Sequence, residues 1–221
     1  MEPASAVEVE TGPQPQAAII WLHGLGADGH DFEPVAGELA IESLPPLRFV
    51  FPHAPMRPIT VNGGMTMRGW YDITNIDFRE RQEDEAGIRD SARQVTALMA
   101  RENERGIDDS RIVLAGFSQG GAIALHAGLR HPRRIAGILA LSTYLPLSAT
   151  LPAEGHPANR STPIFMAHGW GDAVIPFDLA QLSARSLTQA GFSVDWHAYP
   201  MEHSVCQEEL NAIGQWLAKV L

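Results

Sequence analysis

Short apolar runs alternate with longer helical patterns along most of this chain, and this alternation restricts the fold more than any other feature. The runs at 17–22, 47–51 and 164–167 have the length of strands and are bounded by Gly, Pro or polar residues. Strands that alternate with helices are typical of a mostly parallel sheet with helices on both faces. The 221 residues fit one domain of this class, which we predict to span residues 1–221.

The ends of the predicted elements follow from turn and capping residues. Residues 7–10 alternate apolar and acidic positions, and 11–16 carry a turn signal, so residues 1–16 are predicted to supply an edge strand and turn that form a hairpin with 17–22. Asp84 is expected to cap a long helix. The remaining predicted strands are 111–115, 135–141 and 194–199, and the remaining helices are 32–41, 119–129, 178–190 and 207–220.

Residues 57–79 have no clean periodicity. They are interrupted by Pro and Gly, yet rich in Met, Ile and Trp. Long loops inside compact domains are usually functional, so this segment is predicted to be a lid-like loop.

Charge and cysteine content exclude several classes of protein. The net charge of −10 argues against nucleic-acid binding, which needs clustered Lys and Arg. The acidic N-terminus does not resemble a signal peptide, and no apolar run has the length of a transmembrane helix. The single cysteine, Cys206, cannot form an internal disulfide and fits a reducing compartment. We therefore expect a soluble, cytoplasmic protein.

The sequence Gly116-Phe117-Ser118-Gln119-Gly120 lies between a β-branched strand and an Ala-rich helix. This is the G-x-S-x-G pattern in the setting that a nucleophile elbow requires, because the strained turn needs small residues two positions on either side of the serine. Ser118 is therefore the predicted nucleophile. Gln119, the next residue, would donate its backbone N–H to an oxyanion.

A serine nucleophile needs an imidazole to take its proton and a carboxylate to orient that imidazole. In this fold the chain order is Ser, then Asp or Glu, then His. Asp172 lies just past a buried strand and His203 just past the last strand, so both are expected at the edge where Ser118 lies. Asp178 is better explained as a helix N-terminal residue, and Asp195 as a solvated strand residue.

Other histidines are weaker candidates for the base. His168 directly follows its strand and is expected to shape the turn, whereas His197 belongs to the alternation of the last strand. His126 and His131 lie along or at the end of a helix, where a structural or solvated role is the default.

A glycine loop follows the first buried strand, with Gly24, Gly26 and Gly29 in the G-x-G-x-x-G spacing. One interpretation is a dinucleotide site, which also needs an acid at the end of the next strand. That position holds Pro52-His53 instead. The other interpretation is an oxyanion loop in which Leu25 supplies the second backbone donor. His23 is expected to brace the loop.

Five ordered blocks carry a family resemblance: LHGLGADGHDF, RIVLAGFSQGGAIALH, ALSTYLP, HGWGDAVIP and YPMEHSVCQEEL. From about residue 17 to the end, the chain resembles the acyl-protein thioesterase, lysophospholipase and bacterial carboxylesterase family of α/β-hydrolases. The resemblance implies Ser118, Asp172 and His203 as catalytic residues and Leu25 and Gln119 as oxyanion donors. It also implies a lid over a shallow apolar groove, and it makes a homodimer plausible.

Three features depart from the family pattern. They are Gly69 before Trp70, the turn GWGD at 169–172, and Glu202 before His203. Glu202 either pairs electrostatically with His203 or points into water, and we expect water. Residues expected to line the acyl groove are Met65, Met67, Trp70 and Leu145. The alternative is that the Met and Trp residues only anchor a loop.

The sequence as a whole predicts a serine hydrolase that cleaves carboxylic esters or thioesters through a Ser118 acyl-enzyme, without cofactor or metal. Short to medium acyl chains and a small ester, thioester or lipid-like substrate are expected. Two other hypotheses remain: a ligand-binding protein that uses the Gly24–Gly29 loop, and a hydrolase fold kept as a non-catalytic module.

Overall fold

The computed structural model describes residues 4–39, 43–75 and 82–221. Its strands are β1 (Ala6–Glu10), β2 (Ala17–Leu22), β3 (Leu47–Pro52), β4 (Met56–Ile59), β5 (Met65–Arg68), β6 (Ile112–Phe117), β7 (Gly137–Leu141), β8 (Pro163–Gly169) and β9 (Ser193–Tyr199). Its α-helices are α1 (Val35–Glu38), α2 (Glu85–Glu104), α3 (Gln119–Arg130), α4 (Leu151–Glu154), α5 (Phe177–Gln189) and α6 (Gln207–Val220).

Seven of the strands form one sheet in the order β1-β3-β2-β6-β7-β8-β9. All neighbouring pairs are parallel except β1 with β3, which is antiparallel. This confirms the predicted α/β-hydrolase fold with a mostly parallel central sheet. Asp84 caps α2 as expected, since its carboxylate accepts the N–H of Gly87 at 2.9 Å.

The N-terminal strand is at the sheet edge and antiparallel, but it pairs with β3 and not with β2 as the predicted hairpin required. Residues 11–16 instead cross the start of β3, where Thr11 N–H donates to Leu47 O and Gln16 N–H donates to Pro46 O. The physical reason is that β2 is buried along its whole length and is paired on both sides by parallel strands. The half-exposed β1 can therefore only occupy the edge.

The sheet is covered on both faces, and the side chains of β2 show this directly. Ala18, Ile20 and Leu22 belong to one buried cluster, which also includes apolar residues of α2, α3 and α5. The alternate residues of β2 belong to a second cluster with residues of α1 and α6. Because successive side chains of a strand point to opposite faces, an unbroken apolar run is needed at this position.

Two predicted elements need correction. The helix predicted at 32–41 is shorter than expected. Among the described residues of this range, α1 covers only Val35–Glu38 and has Pro34 at its N-cap, and residues 40 and 41 lie outside the described part. The predicted loop at 57–79 contains the antiparallel pair β4 and β5, and its last residues, 76–79, lie outside the described part. The pairing was not predicted because Pro58 and the polar residues of β5 are not typical of strands.

Candidate active site

Ser118 lies in the turn between β6 and α3 with a strained backbone. Its φ of 55° and ψ of −120° are unusual for a residue with a side chain. The Ser118 N–H donates to Leu141 O at 2.8 Å, and the Thr143 hydroxyl donates to Ser118 O at 2.7 Å. Bonds to the neighbouring strand end thus hold the turn in the conformation that a nucleophile elbow requires.

The glycines around Ser118 are required by close backbone approach. A Cβ atom on Gly116 would lie 2.3 Å from the carbonyl carbon of Gly120, and one on Gly120 would lie 2.2 Å from Leu22 O. Neither position therefore tolerates a side chain without movement of the backbone. This closeness places the start of α3 against the end of β2, beside the glycine loop.

The three predicted catalytic side chains meet at the carboxyl edge of the sheet. The Ser118 Oγ atom is 2.9 Å from His203 Nε2, and His203 Nδ1 is 2.7 Å from Asp172 Oδ2. The Phe117 ring lies 4.7 Å from the His203 ring, centroid to centroid, and so packs beside it. In one neutral tautomer the imidazole donates from Nδ1 to the carboxylate and accepts the serine proton at Nε2.

Asp172 is held in a fixed orientation as a charged group. Its Oδ1 accepts the N–H groups of Val174 and Ile175, each at 2.8 Å, and its Oδ2 lies 3.2 Å from His168 Nε2. Burial by itself raises the pKa of Asp172, but the hydrogen bonds from His168, His203 and Ile175 outweigh it and hold the pKa well below its usual range. The carboxylate therefore stays ionised at neutral pH.

The glycine loop after β2 lies close to Ser118. A Cβ atom on Gly24 would be 3.6 Å from Ser118 Cβ. In the described parts of the chain, the backbone N–H groups of Leu25 and Gln119 donate to no protein acceptor. The Gln119 N–H is also at the N-terminus of α3, where the helix dipole favours negative charge. Both amides are available for an oxyanion beside the serine.

His23 braces this loop as a neutral group, as the sequence suggested. Its Nδ1 is 2.7 Å from Gly24 O, and its Nε2 accepts the Ala54 N–H at 3.0 Å. Burial lowers the pKa of His23, although the Gly24 carbonyl acts in the opposite direction. The two ring nitrogens are thus occupied by backbone groups, which fixes the loop relative to the chain after β3.

The dinucleotide interpretation of the loop has no support in this geometry. The N–H of Gly29 donates to His53 Nδ1 at 3.0 Å, and a Cβ on Gly29 would lie 2.3 Å from Phe51 O. The third glycine thus serves packing against the end of β3. Its amide, which a pyrophosphate would otherwise use, already has a partner within the protein.

Two predicted groove residues, Trp70 and Leu145, are buried. The Trp70 side chain is fully buried, its indole N–H donates to His23 O at 2.9 Å, and its backbone N–H donates to Gln119 Oε1 at 2.7 Å. This corrects the prediction that Trp70 lines the groove, because it anchors the segment instead. The backbone N–H of Leu145 donates to Ser183 Oγ, and Leu145 lines a cavity of about 460 Å³ beside α4 and α5.

Met65 and Met67 do reach the surface. The Met65 side chain is 63% exposed, and Met67 is half-buried. A Cβ on Gly26 would lie 3.9 Å from Met67 Sδ, and the Gly26 N–H donates to Arg68 O at 2.8 Å. Strand β5 therefore borders the glycine loop and presents two flexible apolar side chains there.

The remaining candidates lie away from the proton-transfer chain. His126 is buried, and burial lowers its pKa to about 4; His131 Nε2 lies 3.1 Å from Asp109 Oδ2. The His197 ring stacks on Phe165 with centroids 4.4 Å apart, as a strand-face residue would. Glu202 is exposed, as expected of a side chain in water. Asp195 and Asp178 are accounted for by β9 and the first turn of α5.

The expectation that His168 shapes the turn after β8 is confirmed, but its contact with Asp172 and the contacts of the Gln119 side chain were not predicted from the sequence. His168 Nε2 reaches Ile175 O at 3.0 Å as well as Asp172, so it ties both ends of the Asp172 turn. The Gln119 side chain accepts from Trp70 N–H and donates to Tyr71 O at 2.6 Å. The position of His168 four residues before Asp172 was the available signal for their contact. No local pattern predicted the contacts of the Gln119 side chain.

A serine hydrolase is defined by this arrangement on an α/β-hydrolase sheet. Its parts are the strained serine turn, the hydrogen-bonded Ser-His-Asp series and two backbone amides beside the serine. A comparison with known families agrees. The phospholipase/carboxylesterase family model matches residues 4–221, and the chain belongs to this family.

Individual relatives are similar over nearly the whole chain. An acyl-protein thioesterase 1 of Neurospora crassa is 44% identical, with 93% of this chain and 87% of the relative covered. One of Gibberella zeae is 42% identical, with 94% and 92% covered. The crystal structure of Arabidopsis thaliana SOBER1 matches with a TM-score of 0.87, 30% identity, and 92% and 98% covered. Within the described residues, no helix combines the length and hydropathy needed to cross a bilayer.

Proposed function

We propose that Ser118 is the nucleophile of an esterase or thioesterase that works through an acyl-enzyme. The observation that carries this is the series of two hydrogen bonds from Ser118 Oγ through His203 to Asp172, at 2.9 Å and 2.7 Å. The phospholipase/carboxylesterase family model and the acyl-protein thioesterases among the relatives support a substrate whose carbonyl is bonded to oxygen or sulfur. No cofactor is needed for this chemistry.

In the acylation step, Ser118 Oγ bonds to the carbonyl carbon of the substrate while His203 Nε2 takes the hydroxyl proton. The negative charge that forms on the carbonyl oxygen is stabilised by the Leu25 and Gln119 amides. The charge of Asp172 stabilises the imidazolium of His203. The C–O or C–S bond then breaks, and His203 returns the proton to the departing alcohol or thiol.

Deacylation repeats the sequence with water. His203 removes a proton from a water molecule, whose oxygen attacks the acyl carbon, and the proton then passes to Ser118 Oγ as the acyl group leaves as a carboxylic acid. Because the same groups act in both steps, loss of any one of them affects the whole cycle.

The test is labelling with a fluorophosphonate, which reacts only with an activated serine, followed by mass spectrometry of the labelled peptide. We expect the label on Ser118, and expect Ser118→Ala to lose both labelling and ester hydrolysis. Ser204→Ala is the matched control, because Ser204 is exposed and adjacent to His203. Labelling that persists in folded Ser118→Ala would contradict the assignment.

For the acyl group, the proposal is a short to medium chain that contacts Met65 and Met67 beside the glycine loop. Each buried CH₂ would contribute up to about 0.8 kcal/mol of transition-state binding. The value of kcat/KM for acetyl through decanoyl esters of one leaving group should then rise and level off, and Met65→Ser with Met67→Ser should flatten the rise. Trp70→Ala should lower activity at every chain length, because Trp70 anchors the segment.

A homodimer and a cytoplasmic location stay predictions of the sequence.

A further inference from the structure

Trp170 is a large aromatic side chain held in solvent beside the proposed triad. It is 62% exposed and lies in the turn after β8, two residues before Asp172. The turn is fixed against the chain that follows β9, since Trp170 N–H donates to Tyr199 O at 2.9 Å and Gly171 N–H donates to Met201 O at 3.0 Å. Backbone hydrogen bonds therefore hold the turn that carries this exposed indole.

A carboxylate lies against the same turn. A Cβ on Gly171 would be 3.8 Å from Glu202 Cγ, so the Glu202 side chain borders the residues that carry Trp170. Glu202 is exposed and immediately precedes His203. Two adjoining chain segments, which also carry Asp172 and His203, thus each present an exposed side chain, one aromatic and one acidic.

The chemistry of the reaction decides which part of a substrate meets this pair. His203 Nε2 must deliver its proton to the leaving oxygen or sulfur, so the leaving group has to lie on the His203 side of the carbonyl. The glycine loop, which carries the Leu25 amide, is a different segment and is joined to β5 by the hydrogen bond from Gly26 N–H to Arg68 O. Trp170 and Glu202 belong to the two chain segments that carry Asp172 and His203.

We propose that Trp170 and Glu202 form a subsite that favours leaving groups with a positive charge, such as an alcohol or thiol that bears a quaternary ammonium group. This rests on the proposed function of the triad. The face of an indole ring attracts cations, with Trp the strongest of the aromatic side chains, and a neighbouring carboxylate adds to the attraction. The net charge of −10 favours approach of cationic substrates to the protein.

The test compares two esters of the same acyl group that have the same shape and differ only in charge. One is butyrylcholine, and the other is its carbon isostere, in which a tert-butyl group replaces the trimethylammonium group. The measured quantity is the ratio of kcat/KM for the two, divided by the ratio of their hydroxide-catalysed rates. Wild type should prefer the cationic ester. Trp170→Leu should lower the preference about threefold, the size of an exposed cation–π contact.

Glu202→Gln should also lower the preference about threefold at low ionic strength, and less at high salt, because salt screens an exposed charge. Leu182→Ala is the matched control, since Leu182 is 59% exposed on α5, and it should leave the ratio unchanged. No wild-type preference, or equal losses for both esters in Trp170→Leu and Glu202→Gln, would overturn the inference. Hydrolysis that persists in Ser118→Ala would instead overturn the proposed function.

Discussion

Two carboxyl groups lie buried near the chain segment that carries His203, and their surroundings hold them in opposite protonation states. Asp172, after β8, accepts two backbone N–H groups and contacts two imidazoles. Glu209, in the first turn of α6, is fully buried, and in the described residues neither of its carboxylate oxygens has a hydrogen-bond partner of good geometry. Burial raises the pKa of Glu209 to about 8, and the nearby Cys206 amide offsets only part of this.

The difference shows that burial alone does not determine the charge of a carboxyl group, because hydrogen-bond donors around it can outweigh the effect of burial. Burial disfavours ionisation at both positions, but at Asp172 the donors outweigh it. The different charge states of Asp172 and Glu209 fit the different positions of the two residues. A carboxylate that stabilises an imidazolium must be charged, whereas Glu209 is buried in the first turn of α6, the helix that follows the His203 loop.

The largest expected effect comes from removing the charge of Asp172. Asp172→Asn keeps the size of the side chain but offers no negative charge to the imidazolium, and it favours the wrong tautomer of His203. We expect kcat to fall by about 10⁴-fold. Steady-state kinetics of folded protein would measure it, with Asp195→Asn as the control, because Asp195 is an exposed acid on β9. Equal activity of the two variants would remove Asp172 from the mechanism.

A second prediction concerns stability, and it should separate Glu209 from Asp172. The pKa of Glu209 is raised in the folded state, so the unfolded state releases this proton first as the pH rises. The free energy of unfolding should therefore decline between about pH 4.5, the ordinary pKa of a glutamate, and about pH 8, its pKa in the folded protein. Glu209→Gln cannot ionise and should be more stable than wild type at pH 8 by about 4 kcal/mol.

Denaturant unfolding at several pH values would measure this difference, and Glu208→Gln, an exposed neighbour on α6, is the control. Asp172 should behave in the opposite way. Its pKa is depressed, so the stability it contributes is present above the pKa of the unfolded chain and is lost only as the pH falls through the lower, folded value. A stability difference between Glu209→Gln and wild type that does not depend on pH would mean that Glu209 is ionised in the folded protein.

The sequence predicted the Asp172 region well because its requirements are local. The G-x-S-x-G turn needs glycines at fixed positions, and parallel strands bring their carboxyl ends to one edge, so the order Ser118, Asp172, His203 was sufficient to predict their meeting. The 2.9 Å and 2.7 Å contacts of His203 fit that expectation. Most helices and strands also agree with their patterns, and the match of α6 extends to both ends.

Features that depend on distant parts of the chain were not predictable in the same way. The partner of β1 depended on which strand is buried on both sides. Trp70 was predicted to line the acyl groove, and the contacts to His23 and Gln119 that hold it in the interior span 47 and 49 residues, so no local pattern indicated them. The unpaired carboxyl of Glu209 gave no signal either. A Glu in the first turn of a helix is ordinarily a solvated capping residue, and only the folded structure reveals its burial.

The smallest expected effect tests how much of the Asp172 environment is redundant. His168 Nε2 lies 3.2 Å from Asp172 Oδ2, the same oxygen that His203 contacts, and it also reaches Ile175 O. His168→Leu keeps an apolar side chain in this buried position but removes the donor. The two backbone amides and His203 remain, so Asp172 should stay ionised but less firmly oriented. We expect kcat/KM to fall about tenfold, the equivalent of one hydrogen bond to a charged group.

His197→Gln on β9 is the control for this substitution, because its ring packs on Phe165 away from Asp172. Thermal unfolding would confirm that His168→Leu is folded under the assay conditions. A loss as large as that of Asp172→Asn would mean that the amides of Val174 and Ile175 do not hold the carboxylate without His168. Unchanged kinetics would mean that those two amides and His203 suffice, and that His168 serves only the turn. The contrast with Glu209 would then rest on the two backbone donors and His203.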